Sequence, residues 1–160
     1  ADVKVKGLAE LNQFLSQLPA KVEANVLRGA LRAGANVVAD EVKTQAPVAT
    51  GELRDSFKVR TSSRKGVAMA TVRTKVFYAR FIEFGVAAHK IVGKANGVLR
   101  FGDTTVRVVD HPGIRPRPFM RPALDSKAGA ATVAAAEYMK RRLSTKEGLN
   151  TSDIEIGIEE

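Results

Sequence analysis

The chain has 160 residues, 44% of them hydrophobic and 27% charged: enough apolar material for one core, and too much for overall disorder. It contains no Cys, which excludes disulfide frameworks, thiolate metal sites and cysteine nucleophiles; no Trp and only two Tyr argue against a stacking platform for single strands. Its 26 Lys and Arg outnumber 17 Asp and Glu, for a net charge of +9.

That surplus is uneven. Residues 51–121 hold fifteen bases against five acids, while residues 151–160 hold four acids and no base. A basic middle with an acidic tail calls for an anionic partner such as nucleic acid, or for charge-matched copies of the same chain; the plainer reading is a solubilising surface. No run of about 18 apolar residues is present, and no apolar stretch follows Ala1–Lys4, so neither a membrane span nor a secretory signal is expected.

Residues 2–6 alternate apolar and polar, the period of a half-buried strand ending at Gly7. Leu8, Leu11, Leu15 and Leu18 recur at helical spacing and predict a short amphipathic helix stopped by Pro19. From Ala20 to Gln45 two adjoining stripes (Val22, Val26, Ala33, Val37 and Leu27, Leu31, Val38, Val42) predict a long helix of roughly 39 Å with an unusually wide apolar face. Gly29 and Gly34 inside it each cost about 1 kcal/mol relative to Ala, which fits close approach of a helix or a second subunit, or simply tolerated glycine.

Ala46-Pro47 ends that helix, and Thr50-Gly51-Glu52-Leu53 reads as a turn. Ser56–Thr61 and Val67–Thr74 predict an antiparallel hairpin, with Lys75–Tyr78 as a further strand candidate. Tyr78–Phe84 fits either a strand or one helical turn. Residues 86–118 are rich in Gly and Pro, with strand candidates Val98–Phe101 and Thr105–Val109, and are expected to form a projecting β-arm over about 86–110. Ala123–Leu143 predicts a second long helix, 144–151 a polar linker, and Ile154, Ile156 and Ile158 an acidic edge strand in need of a partner. The expected class is therefore α+β. Two long helices pack on a small antiparallel sheet, in one domain over 1–144 with an acidic extension at 145–160.

Catalytic signatures are lacking. His89 and His111 make a weak metal case, and phosphate loops, dinucleotide fingerprints and nucleophile elbows are missing, so no cofactor, metal or catalytic residue is expected. Glu83, between Phe81, Ile82 and Phe84, reads as a buried structural acid that Arg80 or Arg121 would balance. Arg54, Lys58, Arg60, Arg64, Lys65, Arg73 and Lys75 fall at alternating positions; opposed on a sheet they make a positive face, for phosphate contact or merely for solvent.

Three segments together carry a resemblance: Ala33–Ser56 with A-P-x-x-T-G-x-L-R-x-S (Pro47, Thr50, Gly51), Tyr78–Gly85 with Y-A-x-x-x-E-F-G (Glu83, Gly85), and Pro118–Ala123 with P-F-M-R-P-A (Phe119, Arg121). Over about residues 20–143 the chain resembles the small neck or tail-completion proteins of long-tailed bacteriophages, the family named after gene product ten of phage Hong Kong ninety-seven. The resemblance implies a structural virion protein, not an enzyme, assembled in the host cytoplasm into a ring at the head–tail junction with DNA passing through its channel. Its partners would be its own copies, head-connector and tail-tube or terminator proteins, and genomic DNA. The basic face would then line the channel or dock on a neighbour, and Gly29, Gly34, Ile154, Ile156 and Ile158 would serve the subunit interface. A free basic protein binding nucleic acid without sequence preference is the alternative.

Overall fold

The computed structural model describes residues 5–16, 18, 20–64, 67–93, 97–148 and 150–158. In chain order these form β1 (Val5–Lys6), α1 (Leu8–Ser16), α2 (Ala20–Gln45), α3 (Glu52–Ser56), β2 (Lys58–Arg64) and β3 (Val67–Arg73). There follow α4 (Ala79–Phe84), β4 (His89–Val92), β5 (Leu99–Phe101), β6 (Thr104–Val106), β7 (Val108–His111), α5 (Met120–Glu147) and β8 (Gly157–Ile158). The α+β class is as expected: α2 and α5 pack together, and the strands pair into small antiparallel two-stranded sheets.

The chain divides into two compact units, one of residues 1–76 with 119–160 and one of residues 77–118. In the first, the seam between α2 and α5 is built from small side chains. A Cβ on Gly34 would lie 2.6 Å from the Ala131 carbonyl oxygen, and one on Gly29 would occupy the place of the Tyr138 ring. The glycines therefore serve an approach between two helices of one chain. Toward one end the seam opens into a core of Leu11, Leu15, Val26, Met139, Leu143 and Ile154; burial of side chains of this size contributes about 1.5–3 kcal/mol each. Toward the other end Leu53, Phe57 and Phe119 are buried, the two rings meeting edge to face at 5.9 Å.

The hairpin β2–β3 pairs Lys58 with Arg73 through Arg64 with Val67. It lies against α2. Arg32 donates from α2 to Thr61 Oγ1 at 3.3 Å, and Ser56 and Thr74 share a 2.5 Å hydrogen bond at the hairpin base.

Several boundaries differ from expectation. Residues 52–56 are helix, because Gly51 at φ +84° turns the chain into α3 and Ser56 Oγ donates back to the Leu53 carbonyl at 2.6 Å. Residues 75–78 form no strand, and Tyr78–Phe84 resolves as helix α4. α5 begins at Met120 with Pro122 in its first turn, where backbone N–H groups lack intrahelical acceptors anyway. It also runs through the expected linker to Glu147, ending where Gly148 (φ +66°) donates its N–H to the Leu143 carbonyl. The acidic end finds its strand partner within the chain: Val5 pairs with Ile158 and Lys6 with Gly157. Ile154 is buried in the core, Ile156 half-buried, and Ile158 55% exposed. Pro19 and Lys65, named above for the helix stop and the basic face, and residues 2–4 of the expected first strand lie outside the described residues.

The second unit is a pair of ladders in series. β4 pairs with β7, His89 opposite His111, and β5 pairs with β6 inside them. An isolated bridge from Val86 to Ile114 closes the base. The β4 strand was not foreseen, its short His-Lys-Ile-Val run carrying little alternation. At the base, Gly85 (φ +72°) leaves no room for a Cβ, which would lie 2.7 Å from the Ile114 carbonyl oxygen.

Candidate interaction surfaces

The strand period places Lys58, Arg60 and Arg64 of β2 on one face of the hairpin, with Val67, Met69 and Arg73 of β3 beside them, all exposed. The opposite face, with Val59, Thr61, Ala68, Ala70 and Val72, is half-buried. Lys58 stands directly across from Arg73, and like charges in that position repel. Among the described residues, none of Lys58, Arg60, Arg64 and Arg73 enters an ion pair. Lys58, Arg60, Arg73 and Lys75 converge, with Glu52, Asp55 and Ser56, on a hollow of about 360 Å³.

Arg54 departs from the expected strand face: it sits on α3 and bonds Asp55 at 2.9 Å. That hydrogen bond, before any other cause, raises the guanidinium further above its ordinary range and holds the Asp55 carboxyl below the usual carboxylate range.

The motif residues hold corners of the fold. Pro47, Thr50 and Gly51 carry the chain from α2 into α3, with the Glu52 N–H donating to Thr50 Oγ1 at 3.4 Å. Phe119 is 2% exposed, and Arg121 lines an apolar groove of about 590 Å³ floored by Leu31, Ala35, Val38 and Val42 between β3 and α5. Glu83 is 6% exposed and is not without a partner. Arg80 stacks over the Phe81 ring at 4.7 Å. His89 and His111 stack at 5.0 Å; the Gly113 N–H donates to His111 Nδ1 at 3.0 Å. Among the described residues no group of three or more His, Cys, Asp or Glu is placed to hold a metal ion. No helix among them is long and apolar enough to cross a membrane.

At the paired ends of the first unit, Glu10, Asp153 and Glu155 share a concavity of about 440 Å³ in which, among the described residues, Lys6 is the one cation. Sequence reasoning missed this surface, because its acids come from opposite ends of the chain and only the β1–β8 pairing joins them.

Residues 9–85, which run from α1 through α4 to the glycine that ends the second motif, match the family model described as "Bacteriophage HK97-gp10, putative tail-component". Over that segment, just under half of its length, the chain is similar to the HK97-gp10-like family. That family is a structural phage tail component and not an enzyme. No curated protein and no solved structure matches the chain. The HK97-gp10-like segment starts earlier than the expected residue 20 and stops well short of 143, so the P-F-M-R-P-A motif and α5 lie beyond it.

Proposed function

We propose that this HK97-gp10-like protein builds an oligomeric ring at the head–tail junction of a phage particle, as a neck or tail-completion component, with genomic DNA passing through the ring. The family match carries the tail assignment. Support for an assembled state comes from large apolar side chains that the subunit leaves in water. In the second unit Phe77, just before α4, is 75% exposed and Phe84, at its end, 64%; Val92 at 60% and Phe101 at 57% sit on ladders of three or four residue pairs that have little core of their own. Head-connector and tail-tube or terminator proteins are the neighbours such a ring would meet inside the virion.

Size-exclusion chromatography with light scattering, followed by negative-stain imaging, tests this. A discrete oligomer with a central opening is expected, together with unjoined heads and tails when the gene is removed. A chain that stays monomeric at every concentration, and whose loss leaves infectious particles intact, would overturn it. A monomer that binds DNA would favour the free nucleic-acid-binding alternative.

A further inference from the structure

The basic hairpin face and the acidic concavity belong to the same compact unit, yet among the described residues their charges do not meet in ion pairs. We propose that they meet between chains: the concavity at the β1–β8 end of one copy receives the outer face of β2–β3 of the next. The inference rests on the ring reading and names the surfaces that would build it.

Charge complementarity is the first reason. Among the described residues, Lys58, Arg60, Arg64 and Arg73 are exposed and enter no ion pair, nor do the exposed Glu10, Asp153 and Glu155; Asp153 accepts a 3.3 Å hydrogen bond from Ser152 Oγ. The company these charges keep is the second. Val67 is 63% exposed and Met69 57% exposed on the cationic face, and Ile158, paired with Val5 of the hollow's lining, is 55% exposed. A phosphate backbone gains nothing from valine and methionine, whereas a protein surface buries them together with the desolvated rim of the charge contacts. Observation thus favours a protein partner over DNA for this face.

The geometry of the repeat follows. The two surfaces differ, so the contact is head to tail, and such contacts propagate until they close into a ring or run on as a filament. Each added copy covers one basic face and one acidic hollow and leaves one of each free. Complementary charges of this kind mainly steer encounter and fix register, so the contact should weaken as salt rises.

Charge reversal tests the pairing directly. K58E/R60E/R73E makes both surfaces acidic, and D153K/E155K makes both basic; all five positions are exposed, and circular dichroism checks that each variant folds. Each variant alone should assemble at least tenfold less tightly than the wild type in light scattering at low salt. An equimolar mixture should recover assembly, because the reversed hairpin then faces the reversed hollow. So should the chain carrying all five changes. If D153K/E155K assembles like the wild type, or if folded variants fail to rescue each other, this inference falls while the ring reading stands. If K58E/R60E/R73E loses DNA binding and still assembles, the face is a DNA surface and the inference is again overturned. A wild type that never assembles would remove the ring reading itself.

Discussion

Gly34 cannot gain a methyl group without cost. In an open helix Gly→Ala gains about 1 kcal/mol, but here the new Cβ would sit 2.6 Å from a backbone oxygen of α5 that cannot step aside. Gly34→Ala should lose about 1–3 kcal/mol, the usual range for overpacking, read as a fall in denaturant midpoint. Gly29→Ala should be milder, since its obstacle is the half-buried Tyr138 side chain, which can swing outward. Glu83→Ala removes a buried carboxylate from its partner, and the group left unsatisfied costs about 1–3 kcal/mol; an unchanged melting temperature would disprove the structural role. Asp55 works at the surface. Its folded pKa lies below the unfolded one, so the small stabilisation from Arg54 is present at neutral pH and is lost as pH falls through the folded value. Asp55→Asn should flatten that acid limb slightly and leave the melting temperature at pH 7 nearly unchanged.

Elements were legible in proportion to how local their causes are. The 26 residues of α2 announced themselves through repeated apolar spacing, and the β2–β3 hairpin through alternation on both sides of a polar stretch at 62–66, of which Ser62, Ser63 and Arg64 belong to β2 itself. β1 and β8 are two residues each, and their pairing joins positions more than 150 apart; no local pattern states such a contact. For the same reason the three isoleucines looked like an interface, although Ile154 belongs to the subunit's own core. The basic face was visible as alternation; of the acidic hollow only the acids of 151–160 were visible, not their meeting with Glu10. Ile154→Ala should therefore behave as a core truncation, costing about 2–5 kcal/mol in equilibrium unfolding. Removal of Ala88–Asp110 should spare the helical unit, with its far-ultraviolet dichroism kept, and abolish assembly; a deleted chain that still forms rings would show that the ladders of the second unit are not needed between subunits.

On the scale of the molecule, the first unit is assembled from two stretches separated by more than forty residues of another unit. Its helical seam, its core and its terminal ladder all draw one member from before the interruption and one from after it. During synthesis, then, α2 waits with its wide apolar face uncovered until α5 has been made, and Ile154 docks only after the inserted unit and α5 have been made. Domains generally fold as units, N-terminal ones first during synthesis, and this unit is denied that order. Premature association is restrained by the same delay. The acidic hollow does not exist until β8 reaches β1, so a nascent chain can offer a basic face to others but has nothing with which to receive one.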